Sequence, residues 1–226
     1  MNKKTVFLLL AVVAIVVGAA FYLKRGSSGN NGLKPFQALG TIVAQETVKL
    51  VGDQGSIVLV VPDFGGAVVP TFDAQLNAFK AEIQKHPAIT LAGVETIKVG
   101  PPESASKSKT LKFAEPMAVA RGPAGPQPGQ LGELVANYQQ AKALIYFVDL
   151  PDLNGGDVAA LRQRGTKLIA ISDWRPSYKS LFADNLLQVC VVPKPQPETG
   201  RKPRNTRDWF DQSYAVVTAD NATSQP

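Results

Sequence analysis

Four short, largely apolar runs constrain this chain more than any other feature. They are Ser56–Val61 (SIVLVV), Ala143–Val148 (ALIYFV), Lys167–Ile171 (KLIAI) and Leu186–Val192 (LLQVCVV). Each is too short for a buried helix and too uniformly apolar for a strand with one wet face. Such runs fit strands covered on both sides, which is the condition of a parallel sheet. A fifth run, Ile89–Val99 (ITLAGVETIKV), reads as a further strand. Helical patterns separate them. Gln37–Val51 places Leu39, Ile42, Val43 and Leu50 on one face. Thr71–Lys85 takes Thr71 as N-cap and stops at His86-Pro87, and Gln130–Ala141 is helical. Asp157–Arg164 is closed by Gly165, and Tyr178–Ala183 is a short helix. The alternation predicts an α/β, Rossmann-like, mainly parallel sheet with helices on both faces.

The N-terminus carries a different signal. Thr5–Leu23 (TVFLLLAVVAIVVGAAFYL) has no charge and no proline, with Lys3-Lys4 before it and Lys24-Arg25 after it. As a helix it is about 28 Å long, close to the hydrocarbon thickness of a bilayer. The expectation is one transmembrane helix within residues 1–25, contacting the membrane through residues 5–23. The rival is a cleaved signal peptide, for which Gly18-Ala19-Ala20 supplies small residues. Lysines and arginines are nearly balanced across the segment, so charge does not set its orientation. A short N-terminus in the cytoplasm places the rest outside, as a single-pass protein of the bacterial inner membrane with a periplasmic domain.

Residues 26–36, largely GSSGNNGLKP, form a flexible linker, and the α/β lobe runs over 37–193. Within it, 100–130 is an irregular excursion rich in Pro, Gly, Ser and Lys. Residues 194–226 read as an extended basic tail, with a short ordered return at Asp208–Thr218 where Trp209 and Phe210 anchor it. The 226 residues carry one cysteine and one histidine, which excludes a disulfide framework, multi-cysteine metal sites and His-pair metal sites. No metal and no cofactor is expected. Cys190, inside an apolar strand, reads as buried filler, and His86 as complementing a helix dipole. The net charge of +6 is diffuse, and the prolines between Lys194 and Arg207 favour a solvated tail, so nucleic acid is not expected as a partner.

Ligands of open parallel sheets bind outside the carboxyl ends of the strands. Three of those ends carry an acid: Asp63 in VVPDFGG, Asp149 in YFVDLPD and Asp173 in AISDW. Carboxylates accept hydrogen bonds from hydroxyl groups, and the ring of Trp174 can cover an apolar sugar face. Aspartate also ends strands simply by favouring turns and helix caps, and both readings stand. Gly65-Gly66 reads as a tight turn, since no dinucleotide or phosphate-loop pattern surrounds it.

The order of segments resembles a family. LGTIVAQETVKLVGDQGSIVLVVPD, FDAQLNAFKAEIQKHPAITLAGVETIKV and AKALIYFVDLPDLNGGDVAALRQRGTKLIAISDW follow one another as in the C-terminal lobe of type I periplasmic solute-binding proteins, the sugar-binding and LacI-like group. LLQVCVVPKPQPETG and AVVTADNA are similar to the family's closing segments. The resemblance runs from Leu39 to Ala222 and implies solute binding, with Asp149 and Asp173 at the ligand-side acids. It puts Gln75 where the family often has a ligand-binding arginine, and it lacks the family's first lobe. A single lobe implies half a site, completed by another chain.

Asp63, Asp149, Ser172 and Lys194-Pro195 also resemble the acid, phospho-acceptor, hydroxyl and Lys-Pro set of two-component receiver domains. The reading adopted is a membrane-anchored, extracytoplasmic binding or scaffold module, a non-enzymatic subunit of a larger assembly with a protein partner or oligomer. Its alternative is a sugar-like small-ligand sensor or binding protein, and a lesser alternative is a degenerate receiver-like phospho-acceptor domain. The candidate ligand-binding residues are Asp63, Gln75, Asp149, Asp173 and Trp174.

Overall fold

A computed structural model describes residues 31–98, 128–194 and 202–224. The chain divides into two units, Met1–Lys34 and Pro35–Pro226, and the architecture below is that of the second. The expected anchor at 5–23, Val99 at the end of the expected fifth strand, residues 100–127 of the excursion and 195–201 of the tail lie outside the described residues. Among those described, no helix is long and apolar enough to cross a membrane.

Six strands form one sheet: β1 (Gly55–Asp63), β2 (Ile89–Lys98), β3 (Ala141–Tyr146), β4 (Lys167–Ile171), β5 (Leu187–Pro193) and β6 (Tyr214–Val217). Their spatial order is β2-β1-β3-β4-β5-β6. The first five are parallel and β6 closes one edge antiparallel to β5. The reason the strands read as largely apolar runs is visible in β1. Ile57, Leu59 and Val61 enter one core while Val58 and Val60 enter another on the opposite face. The first core is covered by α1 (Lys34–Val51), α2 (Pro70–Ile83) and α6 (Thr206–Ser213). The second is covered by α3 (Gln130–Asn137), α4 (Gly155–Arg164) and α5 (Tyr178–Ala183). Each fully buried Leu, Ile or Phe contributes about 1.5–3 kcal/mol through this burial.

Local chemistry sets the element ends. α2 begins one residue before the expected Thr71, because Pro70 occupies its first turn and Val69 is the N-cap. Proline's fixed φ suits that position, and its missing N–H costs nothing there. α3 stops at Asn137 rather than Ala141. Tyr138 leaves the helical conformation, and its ring lies against Gly93, with its hydroxyl donating to the Glu95 carboxylate. α4 starts earlier than Asp157, at Gly155, through a reciprocal cap: Asn154 Oδ1 accepts from the Asp157 N–H, and Asp157 Oδ2 accepts from the Asn154 N–H. The end of the chain packs closely. Phe210 is fully buried, Trp209 lies against the first core, and Ala215–Val217 pair with β5.

Candidate functional site

The strand order reverses direction at β1 and β3. From β1 the chain leaves toward α2 on one face, and from β3 toward α4 on the other, which makes the carboxyl ends of these two strands the switch point where open α/β sheets bind ligands. Register then aligns the acids. Val60 pairs with Tyr146 and Tyr146 with Ala170, so Asp63, Asp149 and Asp173 each stand three residues beyond one paired row. Lys98, paired with Asp63, extends that row onto β2. Among the described residues, no group of three His, Cys, Asp or Glu side chains is arranged to hold a metal ion.

Asp149 is the centre of the row. Its Oδ1 accepts from Ser172 Oγ at 2.5 Å, and its Oδ2 accepts from Arg175 Nη2 at 2.6 Å. Ser172 is fully buried at the end of β4, where its hydroxyl also contacts the Tyr178 hydroxyl at 2.9 Å and the Asp173 carbonyl at 3.1 Å. The Arg175 guanidinium lies 5.9 Å from the centre of the Tyr178 ring. Burial pulls the Arg175 pKa down, but Tyr178, Asp149 and Asp152 more than offset it and hold the cation protonated. Burial pushes the Tyr178 hydroxyl up to about 12, against the opposing pull of Ser172 and Arg175. The Arg175 side chain is one-third exposed and the Asp149 side chain 13% exposed, so the pair sits at the lip of the sheet, within reach of solvent. A carboxylate and a guanidinium fixed side by side can accept from and donate to neighbouring hydroxyls of one small ligand.

The other expected residues fall in distinct places. Asp63 is half-buried at the end of β1 and turns back on its own loop, where Oδ1 accepts from the Gly65 N–H at 2.8 Å. That contact uses one oxygen, and Gly65 and Gly66 adopt the positive φ that the tight turn requires. Trp174 was expected as an open platform for a sugar ring. Its indole instead stacks on Phe182 at 6.3 Å and meets Tyr178 edge-on, so one ring face is already taken by α5. Gln75 was expected on the ligand side. It is instead buried in the contact of α1 with α2, where a Cβ on Gly40 would come within 2.0 Å of the Gln75 carbonyl oxygen. Its Oε1 has no partner among the described residues.

The receiver-like set is only partly assembled. Asp149 and Ser172 meet, but Lys194 Nζ donates to the Asp211 carbonyl, and the cation paired with Asp149 is Arg175. Cys190 is fully buried, and burial together with Asp149 pushes its thiol well above the ordinary range, which leaves no thiolate to act as a nucleophile. Sequence reasoning missed Ser172 and Arg175 as ligand-site residues. The signal was present in the ISDWR stretch, where a buried hydroxyl and a cation flank the strand-end acid.

No protein-family model matches the sequence. No curated protein sequence matches it. Solved structures do match in fold. An ABC transporter solute-binding protein from Burkholderia graminis C4D1M, in complex with D-arabinose, has a TM-score of 0.50 and 13% identity over 84% of this chain and 61% of its own. The arabinose-binding protein AraP of Geobacillus stearothermophilus has a TM-score of 0.48 and 14% identity over 84% and 62%. A solute-binding protein of Bacillus halodurans C-125 with bound myo-inositol has a TM-score of 0.49 and 14% identity over 83% and 60%. The chain therefore spans about three-fifths of the length of these neighbours. At such identities the likeness is one of fold, and the neighbours are binding proteins rather than enzymes.

Proposed function

We propose that this chain is a binding module whose carboxyl edge presents half of a site for a small, hydroxyl-rich, sugar-like ligand, tethered outside the cytoplasm by residues 5–23. The observation that carries the reading is the Asp149 carboxylate, held on one oxygen by Ser172 and on the other by Arg175 beyond the carboxyl end of β3. Preorganisation of that kind lowers the ordering cost of binding a polar ligand. The Asp63 and Asp173 positions in the same register row supply further acceptors. One lobe covers one side of a ligand, so affinity is modest until a second body, a subunit of the same assembly, closes over it.

The test is a thermal-shift screen of the purified chain against aldoses, polyols and inositols at tens of millimolar. The reading expects a concentration-dependent rise in Tm for one stereochemical class, absent in Asp149→Ala and reduced in Asp173→Ala. Equal shifts for all compounds, or shifts retained by both variants, refute it.

A further inference from the structure

A second surface lies along the edge strand β2, with a trough toward the amino end of the sheet, opposite to the end that carries the acids. β2 is an edge strand that pairs with β1 alone among the described strands, and its ten residues expose about 33 Å of backbone. Its two faces are treated differently. On one, Tyr138 covers Gly93 and Ile97 enters the second core. On the other, Leu91 is 40% exposed and Val94 is 42% exposed, two of the three strongly exposed large hydrophobics among the described residues.

Simple alternation would send Leu91 and Val94 to opposite faces. The register shift prevents that: Ile57 pairs with Leu91 and Val58 with Gly93, so Ala92 is skipped and Val94 aligns with Leu59. Both residues therefore stand on the face of Ile57 and Leu59, beside α2. An open trough of about 340 Å³ runs between strand and helix there. Phe79, Ile83, Ile89 and Leu91 line its apolar part, and Lys80 and His86 line it as well. Lys85 nearby is held by Glu82 at 2.5 Å, which leaves Lys80 as the cation of the trough.

We propose that β2 and this trough receive an extended peptide of a partner protein, added as a further strand. An open strand edge supplies main-chain hydrogen bonds, and pockets beside it select alternate side chains. The bare face asks for apolar residues at every second position, and Lys80 asks for a carboxylate at the peptide end nearest α2. This surface is separate from the carboxyl-edge site and does not depend on the ligand proposed there.

The test is selection from a random 12-residue peptide display library on the full chain in mild detergent, followed by fluorescence anisotropy with labelled peptides from the enriched set. Enriched peptides are expected to alternate apolar and polar residues and to carry an acid. Binding should weaken at least tenfold in Leu91→Lys/Val94→Lys, severalfold in Lys80→Glu, and vanish when proline enters mid-peptide. Asp149→Ala should leave it unchanged. Leu91 and Val94 are exposed, so an unchanged Tm in the double variant shows that the fold persists. Failure to enrich, or binding indifferent to Leu91→Lys/Val94→Lys, overturns the proposal. So does a wild-type dimer that this double variant splits, which would make a second copy the occupant. Slow exchange of the outer β2 amides in the isolated monomer would assign the edge to the chain's own segment, and overturns it too.

Discussion

Replacing Asp157 should be the most damaging single change to a polar side chain in this domain. The residue is fully buried, and its carboxylate accepts from three backbone donors: Gly129 N–H at 2.9 Å, Gly132 N–H at 2.7 Å and Asn154 N–H at 3.0 Å. It thereby ties the first turn of α3 to the first turn of α4. Hydrogen bonds to a charged group are worth about 1.5–3 kcal/mol each, and stranding a buried donor costs a similar amount. The three share one carboxylate, Oδ1 taking Gly132 and Oδ2 taking Gly129 and Asn154, and the α3 terminus can partly rehydrate, so the sum is less than additive. Asp157→Ala should therefore cost about 3–5 kcal/mol. Asp157→Asn keeps one acceptor oxygen but turns an amide N–H₂ toward N–H groups, at about 2–3 kcal/mol. Asn154→Ala removes only the reciprocal cap and should cost about 1 kcal/mol. Urea unfolding with a common m-value measures all three on one scale. A cost below about 1 kcal/mol for Asp157→Ala, or equal costs for Asp157→Ala and Asn154→Ala, would refute the reasoning.

Three further outcomes follow from the geometry. Gly40→Ala should destabilise by about 2–4 kcal/mol in the same unfolding assay, because its Cβ meets the Gln75 carbonyl and α1 must lift off α2. Tyr178 and Tyr214, each pushed up to about 12 by burial, keep their protons in the folded state while the unfolded chain loses them near pH 10. Their contribution is intact below pH 10 and is lost as pH rises toward 12, by up to about 2–3 kcal/mol each; Tyr214→Phe should flatten that loss in pH-dependent unfolding. A double-mutant cycle of Asp149→Asn with Arg175→Gln should give a coupling of about 0.5–1.5 kcal/mol, discounted for the one-third exposure of the arginine, and should shrink in 1 M salt.

The strands were legible because burial on both faces leaves a simple trace: β-branched and apolar residues without alternation, as in Val58–Val61 and Ile169–Ile171. The row of Asp63, Asp149 and Asp173 was equally legible, since strand ends are local. What holds Asp149 was not. Ser172 and Arg175 reach it only because β3 and β4 pair in one particular register, and register is a tertiary fact. The asparagine–glycine–glycine–aspartate spacing of the α4 cap stood in the sequence. Its tie to Gly129 and Gly132, some 25 residues away, did not. Gln75 is buried and one face of Trp174 is covered for one physical reason: whether a polar or aromatic side chain faces a ligand or a neighbouring helix depends on which helix crosses it. α1 crosses at Gln75 through Gly40, and α5 covers one face of Trp174 through Phe182. The bare face of β2 was hidden by a one-residue shift at Ala92, which no periodicity reveals.

The most direct test of the central claim is an amide chemical-shift titration of the α/β domain with the sugar or polyol that gives the largest thermal shift. The account predicts saturable perturbations confined to the ends of β1, β3 and β4, around Asp63, Asp149, Asp173 and Arg175. Perturbations elsewhere, such as the β2 trough, or none at tens of millimolar, would contradict it.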